Sequence, residues 1–142
     1  FLFNLYGDGP EKKSIEKFIK INNLNKIISL KGFVRDQKSI FKNADLFINA
    51  SLWEGLPNAM VQSINYNVFP ICSNAPGGNM EVIKHGKLGI SFKTNDKKDL
   101  QNKLIKFLNK RFKLDNKERI QHLKNYTETE SNHKYLKTLN KL

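Results

Sequence analysis

An acid, a glycine and a proline stand together at Glu54-Gly55-Leu56-Pro57. They lie between an apolar run, Asp45-Leu46-Phe47-Ile48-Asn49-Ala50, that reads as a buried strand and an apolar-patterned segment from Asn58 that reads as a helix. A carboxylate at such a strand-to-helix turn lies beside a helix N-terminus, whose unpaired N–H groups favour anions. The pair could hold a phosphorylated sugar, with backbone N–H groups on the phosphate and the carboxylate on the hydroxyls. Glu54 is the sharpest candidate, because the sequence offers no evident structural task for an acid there. The alternative is a charge favoured by the helix dipole. Gln62 lies about one helical turn past Asn58, roughly 6 Å along the axis. Both side chains could reach one ligand, and Gln62 could bond a ribose diol; a solvated helix residue is its alternative.

Three further loops carry weaker signals. Gly7-Asp8-Gly9-Pro10 could cradle a phosphate or sugar, since glycine permits close backbone approach, or could be a tight turn before a helix. It lacks the third glycine of a dinucleotide fingerprint and the lysine of a P-loop. Pro76-Gly77-Gly78-Asn79 reads as a flexible loop that could pack near a sugar or phosphate, or as a plain turn. Phe33, Val34 and Arg35 could flank a flat base, with Arg35 as an ordinary surface charge the alternative. Metal chemistry is poorly supported: His85, His122 and His133 show no i, i+4 pairing and are expected at the surface, and no Asp-x-Asp occurs. Ser/His/Asp catalysis has no elbow motif. The single Cys72 lies in an apolar run and reads as a small buried hydrophobe rather than a nucleophile.

The elements that position these residues alternate, as in a parallel α/β sheet. Strands are expected at Phe1 to Tyr6, Ile27 to Leu30, Leu46 to Ala50, Val68 to Cys72 and Gly89 to Phe92. Helices are expected at Lys12 to Asn22, Ser39 to Asn43, Asn58 to Asn65, Met80 to Lys84 and Asp99 to Leu108, with Pro57 at or just before a first turn. From Asp115 to Leu142 the chain reads as polar and mostly helical, with Ile120, Leu123, Tyr126, Tyr135, Leu136 and Leu139 as its apolar contacts. In an open parallel sheet ligands bind beyond the carboxyl ends of strands, so the loops after Tyr6, Ala50 and Cys72 are expected on one edge.

At 142 residues the chain is one domain at most. No apolar run approaches membrane-spanning length. The opening segment reads as a strand rather than a signal peptide, and its abrupt start is that expected of a piece of a longer protein. A net charge of +12 raises nucleic acid as a partner. Against it, the lysines are spread from Lys12 to Lys141, and Arg35, Arg111 and Arg119 are the only arginines. Solvated lysine faces are the main reading. An anionic membrane surface is the other, the C-terminal third being the best patch.

The ordered set Gly7-Asp8-Gly9-Pro10, Gly32-Phe33-Val34, Ala44-Asp45-Leu46-Phe47, Glu54-Gly55-Leu56-Pro57-Asn58-Ala59, Pro70-Ile71-Cys72-Ser73, Pro76-Gly77-Gly78, Glu81-Val82-Ile83 and Gly86-Lys87-Leu88-Gly89 resembles the C-terminal half of a GT-B glycosyltransferase, closest to family 4, the group 1 glycosyltransferases. The resemblance implies a Rossmann-like donor-binding domain over residues 1–110, lacking its first strand and helix, followed by C-terminal helices over 111–142. It implies retaining transfer of a sugar from a nucleotide diphosphate sugar to a glycan or lipid-linked glycan acceptor, without a cofactor or bound metal, in the cytoplasm or at the inner face of the membrane. Glu54 matches the first acid of the family's Glu-x7-Glu motif, which holds donor-sugar hydroxyls. Backbone N–H groups near Leu56, Asn58 and Ala59 would meet the sugar and diphosphate, with Gly55 beside them in the donor site, Gly77 and Gly78 would lie near them, Phe33 to Arg35 would border the base, and Gly7 and Gly9 would be turn glycines. The second acid is Gln62 here, whose amide still bonds a diol but is not a charged acceptor. The family's basic pair on the diphosphate and its acceptor-binding half would lie upstream of Phe1. A non-catalytic nucleotide-sugar-binding remnant and a basic interaction domain are the competing readings.

Overall fold

The computed structural model describes residues 1–139. The backbone divides into two compact units, Phe1–Ile40 and Phe41–Leu142.

The first unit carries β1 (Phe3–Tyr6), α1 (Lys12–Ile21) and β2 (Ile28–Gly32), and α2 (Gln37–Phe41) begins at its end. The two strands pair in parallel, Phe3 opposite Ile28 and Leu5 opposite Leu30. Tyr6 slips to face Gly32, so the ladder is irregular where both chains leave the sheet. On α1, Ile19 is buried, whereas Phe18 stays 59% exposed.

The second unit holds β3 (Leu46–Asn49), α3 (Asn58–Asn65), β4 (Phe69–Ser73), α4 (Asn79–Val82), β5 (Ile90–Phe92), α5 (Lys97–Lys110), α6 (Asn116–Leu123) and α7 (Glu128–Leu139). Its sheet has the order β3-β4-β5, all parallel. β4 is buried along its whole length, which is why its sequence is a continuous apolar run rather than an alternating one. Pro70 sits in this central strand at no cost to the ladder. The Phe69 N–H bonds the Asp45 carbonyl on the β3 side, so the following position faces the other edge, where β5 pairs only from Ile71 onward.

The core of this unit lies on β4 and is closed by aromatic rings. Phe69 packs against Phe107 of α5 and Phe112, with centroids 5.4 and 5.6 Å apart. Met60 and Ile64 of α3 and Val82, Ile83 and Leu88 after β4 complete it. Two carboxylates start the helices beyond the sheet. Asp96 accepts the Asp99 N–H at 2.8 Å and Asp115 accepts the Glu118 N–H at 2.7 Å. α5 therefore begins at Lys97, ahead of the expected Asp99. Arg119 of α6 donates Nη1 to the carbonyls of Ile64 and Asn65 at the end of α3, at 3.2 and 2.8 Å, and so binds the two helices.

Two expectations are corrected. His122 is not a surface histidine: it is buried, its Nε2 lies 3.1 Å from the Val82 carbonyl, and the Tyr126 ring meets it edge-on at 5.3 Å. Burial, and then the charge of Glu81, push the Tyr126 hydroxyl up to about 12. The apolar residues of the C-terminal region divide as well. Leu123 and Tyr126 pack on the core, whereas Tyr135, Leu136 and Leu139 of α7 and Ile120 of α6 stay exposed. α7 packs on the 3-10 turn Lys124–Tyr126 before it, and no element among the described residues covers its apolar stripe. The expected helical reading of residues 140–142 lies outside the described residues.

The Glu118 carboxylate is paired with Lys84, with Lys87 4.0 Å away, and the hydrogen bond from Lys84 holds it below its usual range. A carboxylate lowered in the folded state stabilises the fold above its unfolded value, near 4.3, and that contribution disappears as pH falls through the folded value. Thermal melts of wild type and Glu118→Gln should therefore differ most at pH 7 and converge as the pH falls through the lowered carboxylate's titration. Parallel curves across this range would show that the pair contributes nothing.

Candidate functional site

The chain leaving β3 runs through residues 50–57 to α3. Its backbone is laid on the segment that leaves β4. Glu54 forms a parallel bridge with Gly77, its N–H reaching the Pro76 carbonyl at 3.3 Å, and Gly78 donates to the Gly55 carbonyl at 2.9 Å. Gly77 has φ +111°, and a Cβ there would overlap the Glu54 carbonyl. A Cβ on Gly78 would come within 2.6 Å of the Gly55 carbonyl oxygen. The expected flexible loop at residues 76–79 is thus packed against the backbone carrying Glu54, and Asn79 at its end is buried.

The Glu54 side chain is half-buried and tied down. Oε1 accepts from Ser51 Oγ at 2.7 Å and from Asn49 Nδ2 at 3.2 Å, while Oε2 has no partner among the described residues. The acid therefore has a structural task that the sequence did not disclose. Asn49 and Ser51 are the residues missed by sequence reasoning. The available signal was two polar side chains closing an apolar strand, five and three positions before the acid. Leu52, Trp53 and Leu56 are exposed on the same segment.

Pro57 precedes the first helical residue of α3, and its carbonyl takes the N–H groups of Met60 and Val61. The Asn58 N–H is occupied by the Leu56 carbonyl at 2.9 Å. The free backbone donors expected at Leu56, Asn58 and Ala59 thus narrow to Leu56 and Ala59, which have no backbone partner among the described residues. Gln62 lies a turn further along α3. It lines a groove with Asn65 of the same helix, with Arg119 and Leu123 of α6, and with Lys124 and Tyr126 beyond.

In the first unit the loops after its two strands meet. The Gly7 N–H donates to the Gly32 carbonyl at 2.8 Å, and the Gly9 N–H is taken by Asp8 Oδ1 at 2.9 Å. Phe33 and Arg35 follow on the surface, Phe33 being 75% exposed. The structure thus brings together the loops after β3 and β4 in one unit and those after β1 and β2 in the other. Cys72 lies within β4, fully buried, and burial pushes its thiol up to about 12.

Residues 1–129 match the model of the glycosyl transferases group 1 family. The chain belongs to that family. It is 30% identical over 106 residues to an Escherichia coli UDP-Gal:alpha-D-GlcNAc-diphosphoundecaprenol alpha-1,3-galactosyltransferase, covering 74% of this chain and 27% of that protein. Two solved structures share the fold. The lipopolysaccharide outer core galactosyltransferase WaaB superposes with a TM-score of 0.85 at 14% identity, over 99% of this chain and 41% of that one. The pneumococcal O-GlcNAc transferase GtfA, solved with UDP and GlcNAc, gives 0.79 at 21% identity, over 99% and 29%. The Rossmann-like α/β fold of a group 1 glycosyltransferase domain, with its C-terminal helices, is therefore that of this chain, which spans about a quarter of its Escherichia coli relative.

Two outcomes follow from this geometry. Gly77→Ala places a side chain on the Glu54 carbonyl at an unfavourable φ and should destabilise the protein by about 2–4 kcal/mol. Urea unfolding measures it, and a loss below about 0.5 kcal/mol would show that the two segments part easily. Cys72 should resist iodoacetamide in the native protein at pH 8 and react once unfolded. Rapid native labelling would show that β4 is accessible.

Proposed function

We propose that this chain binds the donor in a retaining glycosyltransferase, which moves a sugar from a nucleotide diphosphate sugar to an acceptor hydroxyl in polysaccharide or glycoconjugate biosynthesis. The observation that carries the reading is Glu54: among the described residues, one carboxylate oxygen is anchored by neutral donors and the other has no partner, on a segment whose Leu56 and Ala59 N–H groups also lack one. The free oxygen accepts hydrogen bonds from donor-sugar hydroxyls. The backbone N–H groups at the start of α3 meet the diphosphate, where the helix dipole favours negative charge. Gln62 bonds the ribose diol. Within the first unit, Gly7 and Gly9 shape the turn after β1. The reading routes no charge through a metal, since the sequence has no Asp-x-Asp pair.

The acceptor proposed with it is a glycan or lipid-linked glycan, in line with the undecaprenol-linked acceptor in the name of the Escherichia coli relative. The site of action is the cytoplasm, at the inner face of a membrane, with the lysines of the C-terminal third facing anionic lipid. No helix among the described residues is long and apolar enough to cross a membrane. Gln62 at the position of the family's second acid favours a second reading, a domain that binds the nucleotide sugar and performs no transfer.

Ligand-observed NMR with UDP, GDP, ADP, their common sugar conjugates and a short duplex tests both. The expected result is saturable binding of one nucleotide diphosphate, strengthened by one sugar. Glu54→Ala should abolish the strengthening while leaving the fold intact. Binding with no transfer in the full-length protein would favour the second reading. Salt-sensitive duplex binding with no nucleotide binding would overturn both.

A further inference from the structure

The hydrogen bonds around Glu54 continue well beyond its own contacts. Ser51, three residues before it, has all three of its polar groups engaged. Its N–H donates to Asn49 Oδ1 at 3.0 Å, its carbonyl accepts from Ser73 Oγ at 2.5 Å, and its hydroxyl donates to Glu54 Oε1 at 2.7 Å. Asn49, buried at the end of β3, bridges the same two residues, since its Nδ2 also reaches Glu54 Oε1. Ser73, at the end of β4, is fixed by Asn79, whose Nδ2 donates to the Ser73 carbonyl at 3.0 Å and approaches its hydroxyl at 3.3 Å. Asn49, Ser73 and Asn79 are buried, so water competes little for these bonds.

We infer that Ser51 is a positioning residue for Glu54, and that Asn49, Ser73 and Asn79 hold Ser51 in turn. A lone carboxylate at the surface turns about χ3 and presents either oxygen. With two donors fixed on Oε1 the group has one orientation, and Oε2 is the oxygen left without a partner among the described residues. Both donors are neutral, so the carboxylate keeps its charge and acceptor strength for a ligand hydroxyl. The orienting groups stand on the ends of two adjacent strands, which is the rigid support a binding constellation requires. Recognition of a sugar at Oε2 rests on the donor-binding reading above. The orientation of Glu54 does not.

Two measurements separate them. In the ligand-free protein at pH 7, the Glu54 carboxylate carbon resonance should shift in Ser51→Ala, and its side-chain couplings should show rotamer averaging. Ser51→Thr, which keeps the hydroxyl, should resemble wild type. If Ser51→Ala does not fold, Ser51→Cys keeps the volume with a much weaker donor and serves in its place. The second measurement is the gain in affinity of UDP-glucose over UDP, with the GDP and ADP pairs in parallel. Losing one hydrogen bond to a charged group should cut that gain about tenfold in Ser51→Ala while leaving the bare diphosphate unchanged. An unmoved carboxylate signal, or a full sugar gain in Ser51→Ala, would overturn the inference. A moved signal, with no pair bound by wild type, would uphold the positioning of Glu54 and sink the donor-binding reading. A general structural defect would weaken bare diphosphate and conjugate alike, and would count against Ser51 as a positioning residue.

Discussion

Main-chain contact between Glu54 and Gly77 is the constraint on which the arrangement of the site depends. Loops that follow neighbouring parallel strands emerge from the same end of a sheet, but nothing in that topology brings their backbones into contact. Here they touch, because residue 77 has no side chain and takes a φ of +111°. Once the contact is made, the Glu54 backbone has one place to be. The glycine that reads as looseness in the sequence is the condition for tight packing: it removes the atom that would hold the segments apart.

Beneath this contact, β4 supplies the rigidity. It is central in its sheet and buried from end to end, and it leads directly into Ser73, the residue that fixes the Ser51 carbonyl. The aromatic cluster of Phe69, Phe107 and Phe112 anchors the opposite end of the strand to α5. Each such ring contributes on the order of 2 kcal/mol by leaving water. The strand is thus pinned at its first residue by packing and at its last by hydrogen bonds. A shift along its axis would break both, so the orientation of the carboxylate is tied to the integrity of the core.

Much of this was legible in the sequence, and the rest was hidden for physical reasons. Strand and helix alternation, the strand at residues 46–49 and the helix at 58–65 all follow from local apolar pattern and from Pro57, and the structure agrees within a residue or two. Starting α5 at Asp99 followed the apolar residues and overlooked Asp96, whose side chain caps the helix one residue before Lys97. His122 could not be read as buried, because its partners, the Val82 carbonyl and Tyr126, converge only through α4 and α6. Tyr135, Leu136 and Leu139 show the opposite failure. Their helical spacing predicts an apolar face but not whether anything covers it. Glu54 stood out because an acid after a buried strand is locally odd. Asn49 and Ser51 did not, because polar residues at a strand end are ordinary until their hydrogen bonds are seen.

Charge bears on the hydroxyl-binding role proposed for Glu54. The chain carries 25 basic and 13 acidic residues, so lysines far outnumber the acids. Three acids form ion pairs among the described residues: Asp8 with Lys12, Asp99 with Lys103, and Glu118 with Lys84 and Lys87. Glu54 has no such partner among the described residues, and its donors are an amide and a hydroxyl. A cation at the same distance would take up the charge and compete with any incoming donor. Neutral donors orient the group and leave its charge uncompensated, so the free oxygen remains a strong acceptor. An acid held by uncharged groups, with no ion pair among the described residues, suits the role proposed for it, that of receiving hydrogen bonds.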